Sequence, residues 1–232
     1  MLVQGDIIDI SGLKPLSKDL GLVVSHSCDL VNSKEPFAEI IPCHEIDELN
    51  GDFIRGKNIR AYDFCLSILP SEMKNLRVLA FEKVALEKSI IFACKTIAHH
   101  PDDSLLQTWL SARYKRQAIP DDLNAFFTKT LKLGSIAKKY CEKLIGFWFE
   151  YEEVASSDSP TKYDVDLYCV FDPSLINEKE KQECMQSIVG RSNDVSFTLN
   201  AVCYTASEIT LDLILKMKRF YFDYISPEQT GE

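Results

Sequence analysis

The chain has 232 residues, of which 46% are hydrophobic and 26% charged, which is typical of a folded protein with one large domain or two small subdomains. Its formal net charge of −9 disfavours nucleic acid as a partner, because broad electrostatic binding to phosphates requires clustered Lys and Arg. No apolar run approaches the roughly 20 residues that span a bilayer, and no basic segment precedes an apolar core at the N-terminus. We therefore expect a cytoplasmic protein that does not enter a membrane.

The eight cysteines are scattered along the chain, without a CxxC pair. They lie at residues 28, 43, 65, 94, 141, 169, 184 and 203. Several are within apolar runs, where a free cysteine behaves as a small core residue. We expect most of them to be reduced core thiols, and the leading interpretation includes no cofactor and no metal.

Residues 1–98 have the pattern of a β-rich, barrel-like subdomain. Runs of β-branched and other apolar residues alternate with Gly, Pro, Asn and Ser, which mark turns. This pattern predicts about five short strands. They fall within residues 5–10, 20–28, 37–46, 58–69 and 75–86.

The pattern becomes helical over residues 99–145. Pro followed by two Asp opens two segments, at 101 and 120, and suits a helix start; a third helix is predicted over 135–145. Residues 146–226 then predict a β-β-α-β-α order, with a frayed tail at 227–232. The predicted elements there are strands at 146–154, 162–171 and 195–205 and helices at 175–189 and 207–221. The fold class is α+β, with an N-terminal barrel-like half, central helices and a C-terminal α+β half.

The stretch GLVVSHSCDLVN, residues 21–32, places His26, Cys28 and Asp29 after a predicted buried strand. In an extended strand, side chains two residues apart share a face, so His26 and Cys28 are expected to lie side by side. A thiol beside an imidazole is partly held as the reactive thiolate. One interpretation is therefore a catalytic site, with Cys28 or His26 as nucleophile or base and Asp29 orienting it. The other is structural, with Cys28 in the core and Asp29 accepting backbone N–H bonds in a turn.

A structural zinc site is an alternative use of the same residues. His26, Cys28, Cys43 and His44 would meet if the strands that contain them paired antiparallel. Adjacent residues of a regular strand point to opposite faces, so a bulge would be needed for both Cys43 and His44 to bind the metal. The spacing matches no established zinc pattern.

The other two histidines, His99 and His100, precede a predicted helix together with Asp102 and Asp103. Asp is a favoured residue at helix N-termini, so a loop and helix-cap role is expected for this segment. A transition metal would find ligands there, but no further residue supports a metal site.

Two local basic segments indicate a possible anionic ligand. The candidate ligand-binding residues are Lys57, Arg60, Arg113, Tyr114 and Arg116. Arg and Tyr together can hold phosphate by bidentate contacts and a base by stacking. The structural alternative is that the basic residues near 113 complement the dipole at a helix C-terminus.

Several stretches together resemble a family of uncharacterised bacterial proteins. They are QGDIIDI, LGLVVSHSCDLVNS, EPFAEIIP, GKNIR, WLSARYKRQAIPDDLN and RFYFDYIS, which cover most of the chain. The resemblance implies a grouping without an established activity, and a setting in mobile or defence-associated loci. The positions it marks are His26, Cys28, Asp29, Glu35, Arg113, Tyr114 and Asp121. Gln117 replaces the usual Pro of this pattern.

The first half is also similar to the start of MazF/PemK-type endoribonuclease toxins. The similarity lies in Gly-Asp, an apolar strand, a loop and then LGLVVS, and it implies a small SH3-like barrel. The loop at 11–19 has a Pro and two Lys but lacks the Arg expected of those toxins. A barrel of this shape without the RNase activity is the favoured interpretation.

These observations leave three functional hypotheses. The favoured one is a binding or accessory module for a partner protein or an anionic ligand, because no catalytic constellation is complete. The setting expected for it is a defence or toxin–antitoxin type locus. The second is an enzyme that uses Cys28 or His26 on a phosphate-bearing or RNA substrate, with Arg113 or Arg116 holding the anion. The third is a zinc-stabilised structural protein.

Overall fold

A computed structural model describes residues 2–13, 16, 18–69, 72–115, 119–154, 162–192 and 194–222. The chain divides into two units, one within residues 1–115 and the other within residues 116–222. Helices and strands occur in both, which confirms the α+β class. The predicted tail at 227–232 lies outside the described residues, as do Lys14, Pro15 and Ser17 of the loop compared with the toxins.

The first unit contains a seven-stranded sheet in the order β4-β5-β3-β2-β1-β7, with β6 also paired to β3. Its strands are β1 (Asp6–Asp9), β2 (Leu20–Val23), β3 (Phe37–Ile46), β4 (Ala61–Leu69), β5 (Glu72–Leu79), β6 (Val84–Glu87) and β7 (Thr96–His99). Its helices are α1 (Ser27–Val31), α2 (Lys88–Ala93) and α3 (Asp103–Lys115). The described strands outnumber the predicted ones because the run at 75–86 divides at a 3₁₀ turn and β7 is an additional short strand.

The sheet curls into a half-barrel, and its two edge strands, β4 and β7, contact each other. Both of its faces are buried. One face packs its apolar side chains, including Ile7 and Leu22, against Trp109 of α3. The opposite face, including Ile8 and Val23, packs against helices α1 and α2. A strand that is buried on both faces has a continuous apolar sequence, which explains runs such as GLVV.

The segment before α3 acts as a helix cap, as the sequence predicts. The Asp102 carboxylate accepts a hydrogen bond from the Leu105 backbone N–H at 2.9 Å. The His99 ring contacts Asp6 through Nδ1 at 2.9 Å and Asp103 through Nε2 at 2.8 Å. This cluster ties the start of α3 to β1 at one end of the sheet.

His100 is buried beside this cap, and its ring packs at a tilt against the rings of Tyr62 and Phe64. Burial lowers the pKa of His100 to about 4, although the negative charges of Asp102 and Asp103 oppose that shift. The unfolded chain binds a proton below an ordinary histidine pKa of about 6.5, whereas the folded chain resists it until the pH approaches the lowered pKa. His100 therefore makes the folded state less stable as the pH falls, by about 3 kcal/mol across this window.

We expect His100→Asn to reduce this acid sensitivity. Asn does not titrate, and its side-chain oxygen can accept the Asp102 backbone N–H that His100 Nδ1 accepts at 3.0 Å. The variant loses ring packing, so at neutral pH it should be the less stable protein. The measurement is urea unfolding of both proteins between about pH 7 and pH 4. A stability difference that stays constant over this range would contradict the assignment.

The second unit has a four-stranded sheet in the order β10-β9-β8-β11. Its strands are β8 (Leu144–Val154), β9 (Lys162–Phe171), β10 (Phe197–Thr205) and β11 (Lys218–Phe220). Its helices are α4 (Asp121–Ala125), α5 (Leu133–Lys139), α6 (Glu178–Val189) and α7 (Leu211–Lys216), with a π-helical turn at Phe126–Thr130. β9 and β10 are parallel and joined by α6, while β8 is antiparallel to β9 and β11.

Two predicted helices of this unit are shorter than expected. The helix predicted over 207–221 ends at Lys216, and the residues after it form β11, in which Phe220 pairs with Phe147 of β8. The helix predicted over 135–145 ends at Lys139, and Leu144 already belongs to β8. In both cases apolar residues that helical spacing could place on a helix are instead buried in the sheet.

Candidate functional site

The motif around Cys28 lies at a strand-to-helix turn. The strand predicted over 20–28 ends at Val23, and α1 begins at Ser27 with His26 as its N-cap residue. The prediction that His26 and Cys28 share one face of a strand is therefore wrong, but their side chains are still in contact. His26 Nδ1 is 2.9 Å from Cys28 Sγ, and Cys28 Sγ is 3.6 Å from Asp29 Oδ1. Cys28 is exposed to solvent.

Residues distant in sequence hold this turn in place. The Gln4 backbone N–H donates to Ser27 Oγ at 3.1 Å, and the Gln4 side chain donates to the Val24 carbonyl at 2.8 Å. At the other end of α1, the buried Lys88 ammonium donates to the carbonyls of Asp29 and Asn32. Each of these carbonyls also accepts a backbone N–H, from Asn32 and Glu35 respectively, so Lys88 adds a charged donor at the C-terminal end of α1, where a helix favours a cation. The motif is built as a fixed turn, because both of its ends are anchored.

We expect Lys88→Met to loosen α1 selectively. The substitution keeps the aliphatic packing but leaves the helix carbonyls without the ammonium, a loss of about 1–3 kcal/mol. Hydrogen exchange should accelerate at the Asp29 and Leu30 amides, which donate to the His26 carbonyl. Lys95→Met, at an exposed position, is the matched control. Equal exchange rates in the two variants would show that Lys88 does not hold this helix.

Next to the motif is a cavity of about 520 Å³ within the first unit. Its described lining includes His26, Asp29, Glu35 and Tyr114, all positions that the family resemblance marks. Cys28 is not among the described lining residues. The fold therefore brings the strand-end motif and the α3 aromatic residue to a single cavity.

The charged side chains described in the lining of this cavity are mainly acidic. Asp29, Glu35 and Glu39 contribute carboxylates, and Lys83 is the one lysine or arginine among the described lining residues. Lys83 Nζ is 2.9 Å from a Glu39 carboxylate oxygen, and this hydrogen bond raises the pKa of Lys83. The positive charge of Lys83 is thus already balanced by Glu39.

Three aromatic side chains also line the cavity, together with a larger number of aliphatic ones. Trp109 is buried, Phe37 is 55% exposed and Tyr114 is 79% exposed. Carboxylates together with aromatic faces suit a cation, which is attracted by both. The described lining thus differs from the phosphate-binding surface that the sequence suggested.

The predicted anion-binding residues differ in burial and in whether they line the cavity. Lys57 is buried, and its ammonium donates to the Gly51 carbonyl at 3.2 Å. Arg60 is exposed and is not among the described lining residues. The side chain of Arg113 and the whole of Arg116 lie outside the described residues. Asp121 is exposed in the first turn of α4, in the second unit.

The four residues of the zinc alternative do not meet. Strand register pairs Cys43 with Leu20, at the opposite end of β2 from His26. Cys43 is buried, and burial raises its thiol pKa to about 12. His44 Nε2 instead contacts Glu82 at 2.5 Å. The antiparallel pairing assumed for this site does occur, but its register separates the candidate ligands.

Sequence reasoning missed Glu39, Lys83 and Trp109 as lining residues. Glu39 lies in the stretch EPFAEIIP but is not among the positions that the resemblance marks, and Lys83 follows the 3₁₀ turn outside all of those stretches. Their 2.9 Å contact joins residues 44 positions apart. The polar residue in the apolar run FAEIIP was the available signal, because a carboxylate within a buried strand requires a partner or solvent.

All eight cysteines are free thiols. Among the described residues, no helix is long and apolar enough to span a bilayer. No protein-family model and no curated protein matches the chain.

Proposed function

We propose that the protein is a binding module, whose first unit recognises a partner polypeptide by accepting a lysine or arginine side chain in the cavity beside α1. The observation that carries this proposal is the described lining, which combines the carboxylates of Asp29 and Glu35 with the rings of Phe37, Trp109 and Tyr114. The absence of a complete catalytic constellation among the described residues also favours binding over catalysis.

The lining suits both parts of such a side chain. The aliphatic stem of Lys or Arg packs against aromatic and aliphatic surface, while its charged end remains near carboxylates or solvent. Exposed Phe37 and Tyr114 offer apolar contact to the segment that carries the side chain. Aromatic residues of this kind are enriched at protein interfaces. A cavity of about 520 Å³ lies within the range of pockets that enclose small ligands.

The test is fluorescence anisotropy with short labelled peptides that differ only at one central residue. We expect Lys or Arg at this position to bind, while acetyl-lysine, citrulline, Asp and Glu bind at least about tenfold more weakly, a factor that corresponds to 1.4 kcal/mol. Glu35→Gln and Tyr114→Ala should each weaken binding about fivefold or more. Glu72→Gln, an exposed carboxylate outside the described lining, is the matched control.

Two results would contradict this proposal. Preference for the acidic peptides would support the anionic-ligand hypothesis and direct attention to Arg113. Binding of the basic peptides that is equal in Glu35→Gln, Tyr114→Ala and Glu72→Gln proteins would place the interaction outside the cavity.

The contact between His26 and Cys28 favours a second candidate function, cysteine chemistry on a phosphate-bearing or RNA substrate. With Nδ1 2.9 Å from Sγ, the imidazole can take the thiol proton and leave a thiolate nucleophile. Asp29 lies near the sulfur, and among the described contacts none orients the second ring nitrogen of His26. The arrangement therefore supplies a nucleophile and a base but lacks the usual third group.

This candidate is tested by iodoacetamide labelling with site-resolved mass spectrometry. Cys28 should react faster than the partly buried Cys94, and His26→Asn should slow Cys28 labelling about tenfold. Exposure alone also accelerates labelling, so the variant separates the two causes. An unchanged rate in His26→Asn protein would make the motif a structural turn.

We infer that the protein is a bacterial cytoplasmic protein encoded in a defence or toxin–antitoxin type locus. Two observations favour this setting. Eight free thiols suit a reducing compartment. The resemblance to bacterial proteins of mobile or defence-associated loci supports the second part. In such a setting the partner of the acidic cavity would be a protein encoded at the same locus.

A further inference from the structure

Three cysteines meet in the second unit at a place that no motif marks. Cys169 lies on β9, Cys203 on β10 and Cys184 on α6. Their three sulfur atoms lie within 4.8 Å of one another, and no other described group of His, Cys, Asp and Glu forms a comparable cluster. We call this group the three-thiol cluster. It lies in the second unit, whereas the cavity and His26 belong to the first.

The topology of the β-α-β crossover explains why these residues converge. In the parallel pair of β9 and β10, Cys169 and Cys203 are register partners, so their side chains leave neighbouring strands side by side on one face. Helix α6 connects these strands and contacts β10. It brings Cys184 to the other two thiols from the helical layer. The cluster is thus held by three separate elements of the fold.

We propose that the three-thiol cluster binds one thiophilic metal ion, Zn²⁺ or Cu⁺, through three thiolates. A zinc ion with Zn–S bonds of about 2.3 Å in tetrahedral geometry holds its sulfur atoms about 3.8 Å apart. Side-chain rotations that move each sulfur atom by a fraction of an ångström would therefore close the cluster around the ion. Soft thiolates select these ions over Mg²⁺ or Ca²⁺, which require oxygen ligands. Cys169 and Cys184 are buried, so two ligands are shielded from solvent.

The ligand number defines the kind of site. Closed structural zinc sites use four protein ligands, whereas sites with three leave one position for water or another exogenous ligand. Among the described residues the cluster supplies three thiols and no fourth His, Cys, Asp or Glu. Binding of Zn²⁺ forms three Zn–S bonds, and each cysteine that is protonated beforehand releases its proton to solvent. A three-coordinate Cu⁺ ion would use the same thiolates without a fourth ligand.

The test uses the full chain, purified with a reductant, stripped with a chelator and titrated with Co²⁺ as a spectroscopic substitute for Zn²⁺. We expect one Co²⁺ per chain, with a near-ultraviolet charge-transfer band from three thiolates that Zn²⁺ removes. A parallel anaerobic titration with Cu⁺, followed by Cu–thiolate luminescence, distinguishes the two ions. Zn²⁺ should also raise the thermal unfolding midpoint of the second unit, since a metal that binds only the folded state stabilises it.

Cys203→Ser is the main variant, because Cys203 is only partly buried and the substitution is therefore expected to preserve the fold. It should abolish the charge-transfer band, while the matched variant Cys65→Ser, also at a partly buried position, should retain it. Circular dichroism of both variants checks that they are folded. Substoichiometric binding, binding that survives in Cys203→Ser protein, or a disulfide within the cluster with no metal affinity would each overturn the proposal. None of these results depends on the cavity of the first unit.

Discussion

Replacing Trp109 with alanine should lower the free energy of unfolding of the first unit by about 3–5 kcal/mol. The indole is 2% exposed and packs in the core on one face of the sheet, with its ring 5.4 Å from that of Tyr62. Its Nε1–H donates to the Asn58 carbonyl at 2.8 Å, which joins α3 to the loop before β4. Alanine would leave a large cavity and an acceptor without its partner.

The measurement is denaturant unfolding monitored by hydrogen exchange with mass spectrometry, which gives the stability of each unit separately. Protection should fall in β3 and β4, both of the first unit. Trp109→Phe is the matched control, since it keeps an aromatic ring and loses the hydrogen bond, and it should cost markedly less than alanine. A loss below about 1 kcal/mol in Trp109→Ala protein would contradict the packing described for α3.

Removal of the Asp63 carboxylate should have an effect of similar size. Asp63 and Arg77 form a two-point ion pair across β4 and β5, with oxygen–nitrogen distances of 2.7 and 2.8 Å. The Asp63 side chain is fully buried and the Arg77 side chain is 15% exposed. The same carboxylate accepts the Asn50 backbone N–H at 2.9 Å. Asp63→Ala would leave a largely buried guanidinium without its counter-charge, at a cost of about 3–5 kcal/mol.

A double-mutant cycle separates this cost from the general loss of packing. The single variants of the cycle are Asp63→Leu and Arg77→Met. Arg77→Met removes the charge but keeps an apolar side chain, so the double variant should be more stable than Asp63→Leu alone. Urea unfolding of the wild-type chain and each single and double variant provides the comparison. Strictly additive losses would show that the pair contributes no coupling energy.

Local patterns in the sequence predict the elements that depend on local signals. The bounds predicted for β3 and β9 match the structure, because each run of β-branched and alternating residues ends at turn residues. The N-terminus of α3 was also predictable, since its Asp cap lies next to the helix it begins. For these elements, periodicity and capping agree with the tertiary contacts.

Elements held by distant residues were harder to predict. The apolar run before His26 favours a strand that continues to Cys28, yet α1 begins there because Gln4 and Lys88 anchor it from distant positions. The predicted last helix ends at Lys216 because the residues after it complete the sheet beside β8. Lys88 lies in none of the stretches that carry the family resemblance, and Gln4 begins the stretch QGDIIDI without any local pattern that pairs it with α1. Pattern analysis therefore had no basis for predicting these contacts.

The candidate site was predictable only in part, for the same reason. Resemblance marked His26, Asp29, Glu35 and Tyr114, and these side chains do line one cavity. The acidic character of the described lining depends also on Glu39 of β3, which contacts Lys83, the residue just before β6. The three-thiol cluster likewise requires the register of two parallel strands, which the spacing of its cysteines does not reveal.

The most direct test of the proposed function uses the two tryptophans, one in each unit. Trp109 lines the cavity, so Trp148→Phe protein reports ligand binding there through the fluorescence of Trp109 alone. We predict a saturable change when a lysine- or arginine-centred peptide is added, and its loss in the Tyr114→Ala background. No change at Trp109, together with a saturable change in Trp109→Phe protein, where Trp148 is the reporter, would place binding in the second unit and contradict the account.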